Sequence, residues 1–360
     1  MNSSNKSVAI VGAGVLGRLV ALRLAESGWR VTLIDRDSER GEKSCSWTGA
    51  GMLSPYCERE AAEKIITDIG LDSLDRWPGV LKSLARPVYY RESGSLVVSH
   101  PGDRDEMERL RRRVLDRNLR PDAMREIRTD EIRELEPEIA DKFSHGLYFP
   151  YERHIDNRDL LAALLETLRA RGVECIFNAE VQSLEKSRLK ISNDWKSFDW
   201  VIDCRGNGAA QDLKDLRGVR GELFYLHAPD VKLNRPTRLM HPRYSIYIVP
   251  RANDIYVLGA TMIESDDMSP ISVRSSLELL SAAYSVHTGF AEARVLESSV
   301  NLRPAFPDNH PRFYVSPGLL RINGLFRHGF LISPTLAEFA LTYLDRGEKL
   351  PMSENFWREE

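Results

Sequence analysis

The chain opens on Val8-Ala9-Ile10-Val11-Gly12-Ala13-Gly14-Val15-Leu16-Gly17, an apolar run that breaks into closely spaced glycines. Such a run reads as a buried parallel strand. It stops at Gly12, where the chain must turn sharply. Gly14 allows the backbone to approach a diphosphate, and Gly17 allows the next helix to pack on the strand. That helix is expected over 15–27, with Leu16, Val20, Leu22 and Leu24 on its buried side. Val15 and Leu16 fall at its N-terminus, whose N–H groups and partial positive charge suit a pyrophosphate. A second apolar strand, Val31-Thr32-Leu33-Ile34, ends in Asp35. An acid about 20 residues beyond the glycines can accept both hydroxyls of an adenosine ribose, and it argues against a 2′-phosphate. The motif alone leaves NAD and FAD open. Its position at the start makes the nucleotide the part on which the chain is built.

With 360 residues there is length for two domains. The formal net charge of −3 implies no polyanionic partner, so no nucleic acid is expected. No apolar run approaches the ~18 residues of a membrane span. The polar segment 1–7 does not read as a signal peptide. Cys45, Cys57, Cys175 and Cys204 form no Cys-x-x-Cys pair, so neither a zinc site nor a redox dithiol is indicated and no metal is expected. Unpaired cysteines fit the cytoplasm.

After Asp35-Arg36 comes a second run of small residues, Trp47 to Pro55, dense enough to lie against a flat ligand. Helices are expected over 61–84, 159–171 and 273–287, with a capping signal at Thr129 for a short one ending at Pro137. The charged run 103–118 resembles a nucleic-acid patch at first sight. Its acids interleave at helical spacing, which favours a solvated helix face. Strands alternate at 222–226, 245–249 and 255–259, and a buried strand at 200–204 ends at a new glycine turn. Two units are therefore interleaved rather than strung in series.

Several pieces then occur in order: the glycine turn, Trp47–Ser54, Tyr247-Ile248-Val249-Pro250-Arg251, Gly259-Ala260-Thr261-Met262, Leu302-Arg303-Pro304 with Pro307-Asp308, and Gly324-Leu325-Phe326-Arg327-His328-Gly329. In these the chain resembles the D-amino-acid-oxidase family of FAD-dependent amine oxidases, with the glycine oxidases as its nearest branch. The resemblance implies an α/β fold, a Rossmann-like FAD-binding domain (1–85, 145–215 and 300–360) interleaved with an antiparallel-sheet substrate domain (86–144 and 216–299). It implies FAD, held without a covalent bond. Val15 and Leu16 would lie beside the diphosphate and Asp35 and Arg36 beside the adenosine. Cys45, Ser46, Ala50, Gly51 and Met52 would line the flavin, and Val181 the adenine side. Gly324, Leu325, Phe326, Arg327, His328, Gly329, Phe330 and Leu331 would wrap the pyrimidine and ribityl end.

For the substrate the resemblance implies Arg303 on the amino-acid carboxylate, Tyr247 donating to the same group, Arg327 as a second arginine nearby and Met262 packing against it. A guanidinium meets a carboxylate as a planar fork. The competing readings are a surface ion pair for Arg303 and a strand-core tyrosine for Tyr247. Ser245 stands where glycine oxidases often carry histidine, and Asn301 where a small residue is common. No general base is apparent. The expected activity is oxidation of glycine, sarcosine or small D-amino acids to the imine and 2-oxo acid. Molecular oxygen would be the acceptor, with hydrogen peroxide released, for thiazole formation in thiamine biosynthesis. Thiazole synthase is a candidate partner, and a homo-oligomer is expected. The alternative is a D-amino-acid or secondary-amine dehydrogenase passing electrons to a quinone. A non-catalytic or tRNA-modifying flavoprotein would call for a basic face or a fused domain.

Overall fold

The structure is a computed structural model that describes residues 6–60, 62–115, 122–243 and 245–360. Ser7–Val11 is fully buried at the heart of a seven-stranded sheet, parallel to Arg30–Ile34 on one side and Trp200–Asp203 on the other. Leu319–Asn323 extends the parallel set, and Arg312–Ser316 runs against it. Strands buried on both faces must be apolar throughout, which is why these segments carry no alternation.

The first helix, Val15–Glu26, follows the glycine turn. Gly12 takes a φ of +104°, and a Cβ there would stand 2.5 Å from the Cys204 carbonyl oxygen. A Cβ on Gly17 would overlap the Gly12 carbonyl oxygen, so strand and helix approach as closely as backbone allows. The helix buries Leu16, Val20, Leu22 and Leu24 as expected and packs on the closing helix Gly329–Arg346. It also buries Arg18, whose guanidinium donates to the carbonyls of Ala13 (2.7 Å), Leu161 (2.6 Å) and Glu39 (2.7 Å). Burial lowers its pKa to about 10. Three neutral acceptors let a cation sit there without a carboxylate.

The second sheet has eight strands in the order Arg294–Ala305, Arg217–His227, Ile255–Gly259, Ile246–Pro250, Thr237–Met240, Ser95–Ser99, His145–Phe149 and Arg125–Arg128. All neighbours are antiparallel except Thr237–Met240 with Ser95–Ser99. Two strands cross the boundaries drawn from sequence. His145–Phe149 hydrogen-bonds to Ser95–Ser99, and Arg294–Ala305 runs through residue 300 as one strand on Arg217–His227. Residues 145–149 and 300–305 thus belong to this sheet, because ladder pairing outweighs any break in local composition.

The helices fall at Lys64–Ser83, Asn157–Ala170 and Val273–Val286. Asp156 caps the second, accepting from Arg158 N and Asp159 N, each at 3.0 Å. Thr129 begins its helix rather than capping it; Glu131 Oε2 accepts from the preceding Arg128 N–H at 3.2 Å. The charged run forms Arg104–Leu115, with Leu110 and Val114 buried and Arg109, Arg112 and Arg113 exposed. Glu106 and Glu108 pair with the arginines one turn on. Residues 116–118 of that expectation lie outside the described residues. Among the described residues no helix is long and apolar enough to cross a membrane, and no group of His, Cys, Asp or Glu could hold a metal ion.

Candidate active site

One cleft of about 1260 Å³ runs from the glycine turn to the face of the eight-stranded sheet. At its first end it is lined by Gly12, Gly14, Val15, Leu16 and Gly17, with Asp35, Arg36 and Val181 beyond. Ser46 Oγ accepts from Val15 N at 2.9 Å, so the second small-residue loop closes over the helix N-terminus. Asp35 accepts from Ala13 N through Oδ2 (2.5 Å) and from Asp37 N through Oδ1 (2.8 Å). A carboxylate has about four acceptor positions. Two therefore hold the turn and two remain for a ligand. Asp35→Ala is accordingly expected to lower FAD affinity and the melting temperature together, and Asp35→Asn to lower both less. Flavin titration and thermal unfolding of the two variants check this, and unchanged affinity in the alanine variant would make Asp35 only a turn residue.

The middle of the cleft is lined by Cys45, Ser46, Ala50, Gly51 and Met52 on one side. Leu325, Phe326, Arg327, His328, Gly329, Phe330 and Leu331 line it on the other. Gly324 does not reach it: at φ +79° it turns the chain against the Phe306 ring. Asn301 ties this wall together, its amide donating to Lys43 O (3.2 Å) and Thr48 Oγ1 (3.1 Å). A small residue at 301 could not do so. The Cys45 thiol donates to Leu302 O at 2.5 Å, and burial pushes it up to about 11, so it stays a neutral thiol.

At the far end Arg303 and Tyr247 project from the sheet. Arg303 lies opposite Val219, and its guanidinium donates to the carbonyls of Arg220 (3.2 Å) and Thr261 (3.1 Å). Those bonds fix the fork and leave N–H groups for a ligand. It passes over Gly221, where any side chain would occupy its place. Tyr247 is opposite Gly259, and a Cβ at 259 would stand 2.6 Å from its hydroxyl. Burial raises the phenol's pKa, so the hydroxyl keeps its proton and can donate. Burial lowers the affinity of Arg303 for its proton, with the nearby tyrosine opposing that effect. Met262 lines the cleft but is 57 % exposed, at the rim rather than inside. Ser245 lines it too.

Arg327 is not an unencumbered second arginine. Its Nη2 donates to Glu58 Oε1 at 3.3 Å, and Glu58 Oε2 lies 2.8 Å from its Nε and 3.1 Å from His328 Nδ1. Burial would raise the Glu58 pKa, but Arg327 and His328 outweigh it and hold the carboxyl well below the usual range. Glu58 and Arg238 both line the cleft and were missed from sequence. A charged residue inside the strand pattern Thr237-Arg238-Leu239-Met240 was the available signal.

The cleft thus carries glycines that leave room for a nucleotide at one end and a guanidinium beside a phenol at the other. The chain belongs to the family of FAD-dependent oxidoreductases: the family model described as DAO, FAD dependent oxidoreductase, matches residues 7–344. It is 40% identical over 335 residues to a putative thiamine biosynthesis oxidoreductase ThiO of Rhizobium etli, covering 92% of this chain and 94% of that protein. It is 25% identical to the bifunctional protein ThiO/ThiG of Synechocystis sp., covering 93% of this chain and 51% of that protein. Glycine oxidase from Geobacillus kaustophilus has a similar fold, with a TM-score of 0.85 at 22% identity over 98% of both chains. The protein is thus an FAD-dependent oxidoreductase.

The cleft fits FAD. The glycine cradle admits a diphosphate where any Cβ at residue 12 or 17 would collide with backbone. The second small-residue loop offers a flat wall that a nicotinamide dinucleotide site does not need. Cys45 is tied to Leu302 O and protonated, which disfavours its attachment to the flavin. Acid precipitation of the purified protein is expected to leave yellow flavin in the supernatant; flavin held in the pellet would show a covalent link.

Proposed function

We propose that the chain oxidises glycine or other small amino acids, D-amino acids and sarcosine among them, to the imine and then the 2-oxo acid, with release of hydrogen peroxide. The observation that carries this reading is the convergence of Arg303 and Tyr247 on one end of the cleft, both half-buried and with donors to offer. Asp35, Arg36, Val181 and the helix N-terminus at Val15 and Leu16 would hold the adenosine and diphosphate. Residues Cys45–Met52 and Leu325–Leu331 would enclose the flavin. When bound, FAD supplies the two-electron oxidant for the Cα–N bond of the amino acid.

The protein's part is positional. Arg303 takes the substrate carboxylate in its fork while its other N–H bonds keep the group from swinging. Tyr247 donates its hydroxyl proton to the same carboxylate, which fixes rotation about the Cα–carboxylate axis. Two fixed contacts on one end hold Cα at a set depth, and such orientation lowers the barrier by making the step effectively unimolecular. Met262 at the rim shields the amine from water. In the balanced reaction the amino acid loses two electrons and two protons across Cα–N, and dioxygen gains them to become hydrogen peroxide. Water then hydrolyses the imine to the 2-oxo acid and ammonia, or to the 2-oxo acid and methylamine when the substrate is sarcosine. The names of the Rhizobium and Synechocystis relatives support a place in thiazole formation beside thiazole synthase.

The test is a peroxide assay of the purified holoenzyme with glycine, sarcosine and D-amino acids, run against a quinone acceptor in parallel. One peroxide formed per amino acid consumed supports the reading. Flavin reduction by an amino acid without peroxide, but with turnover on the quinone, would make it a dehydrogenase.

A further inference from the structure

Behind the cleft, within the strand Arg217–His227, lies a buried ion pair. Arg220 and Glu222 are both buried, and Glu222 Oε1 accepts from Arg220 Nε (3.0 Å) and Nη2 (2.7 Å). Side chains alternate along a strand. Gly221, between the two, faces the cleft, with the Arg303 guanidinium over it. The two charged side chains therefore point away from the cleft, and Glu222 also bonds Ser275 of the helix Val273–Val286. Both residues are tied to the segment that follows Ile255–Gly259. Thr261 Oγ1 donates to Glu222 Oε2 (3.0 Å) and accepts from Glu222 N (3.0 Å), and Thr261 N donates to Glu222 O (3.2 Å). Arg220 exchanges backbone hydrogen bonds with Ile263 at 2.9 and 3.0 Å, and its guanidinium donates to the carbonyls of Asp267 and Pro270. The two carbonyls that hold the Arg303 fork are those of Arg220 and Thr261, the residues this network ties together. An apolar pair of equal volume would fill the space at least as stably, because desolvating two charges offsets most of their attraction. Stability therefore does not account for the pair. What ions supply here, and apolar groups cannot, is directional bonds.

We infer that Arg220 and Glu222 form a positioning pair. It holds the Arg220 and Thr261 carbonyls at the separation that aims the Arg303 fork into the cleft, and so sets the affinity for a carboxylate that it never touches. This rests on the carboxylate role of Arg303 proposed above.

The experiment uses the purified FAD-loaded enzyme. The double variant Arg220→Met with Glu222→Leu removes both charges together, so neither is left buried alone. Its melting temperature and FAD affinity are expected to stay near those of the wild type. The Kd of acetate, read from the flavin spectrum without turnover, and the KM of the best amino acid should each rise by at least about tenfold, with kcat within about threefold. A merely structural role would instead lower the melting temperature and leave acetate affinity alone. The same double change made in Arg303→Lys, where the fork is already gone, should weaken acetate binding by no more than about twofold further, so the two sites couple. A crystal structure of the double variant should show the Arg303 guanidinium off the two carbonyls. Should the double variant fail to hold flavin, Thr261→Val decides: it cuts only the hydroxyl link to Glu222 and should raise the acetate Kd by about threefold or more. Unchanged acetate affinity in the variants, or additive losses in the cycle with the guanidinium seated as before, overturns the positioning role and leaves the amino-acid reading standing. No acetate binding and no amino-acid oxidation in the wild type, with the guanidinium still displaced in the double variant, would instead overturn the function and keep the positioning role.

Discussion

Arg303→Ala is expected to keep its flavin and its fold and to lose nearly all amino-acid oxidation. The fork is half-buried, held by the carbonyls of Arg220 and Thr261 over a glycine that makes room for it. Truncating it removes the proposed partner of the substrate carboxylate from a half-buried site. Losing one member of such a pair costs about 2–5 kcal/mol. That corresponds to a fall in kcat/KM of roughly 30-fold to several thousand-fold. The two carbonyls also lose donors, so a modest drop in melting temperature accompanies the loss. Arg303→Lys should retain part of the activity, because the charge survives while the planar fork does not. Amines without a carboxylate should be poor substrates for the wild type and should suffer little further in the variant. Steady-state kinetics with flavin content checked by absorbance decide the matter. Oxidation of the best amino acid within about threefold of wild type, well short of the expected range, would move the carboxylate site elsewhere.

Gly17→Ala is expected to strip the protein of FAD. An added Cβ would run into the Gly12 carbonyl oxygen, a backbone atom that cannot step aside. Gly12 is itself fixed, since its own Cβ position is filled by the Cys204 carbonyl. The first helix must therefore lift from the sheet, and overpacking of this kind costs about 1–3 kcal/mol. Lifting also misplaces the helix N-terminus that Ser46 and the diphosphate share. A loss of at least about tenfold in FAD affinity requires only ~1.4 kcal/mol. Gly14→Ala is the contrast: within the protein its Cβ would meet only Ser46 Oγ, at 3.1 Å, but it would stand where the backbone must approach the diphosphate. Thermal unfolding of the two apoproteins should therefore rank Gly17→Ala well below Gly14→Ala, while calorimetric titration shows weakened FAD binding in both. The reverse order would show that the turn yields more easily than its geometry implies.

The element most legible in sequence was the nucleotide end of the cleft. Strand, glycine turn, helix and the acid ending the second strand are local features, and their constraints act between residues close in the chain. The order of short motifs carried Arg303, Tyr247 and the small-residue loop for the same reason: each lies in a compact segment whose residue types are restricted by what it must touch. Gly324 shows the limit of that reasoning. It stands inside a motif whose next seven residues line the cleft, yet its conformation serves the turn against Phe306.

By itself the sequence determined an α/β chain built on a dinucleotide motif; two interleaved units and, through the family resemblance, an arginine–tyrosine pair for a carboxylate were its expectations. Tertiary structure decided what depends on partners far apart in the chain. His145–Phe149 and residues 300–305 joined the eight-stranded sheet because their ladder partners are Ser95–Ser99 and Arg217–His227. Arg327 was committed to Glu58, 269 residues away, so its charge is largely spent within the wall. Arg238 reached the cleft only because Thr237–Met240 pairs with Ile246–Pro250 and sets it beside Tyr247. Charge balance in a buried site is a sum over groups from several strands and loops, and no local pattern encodes that sum.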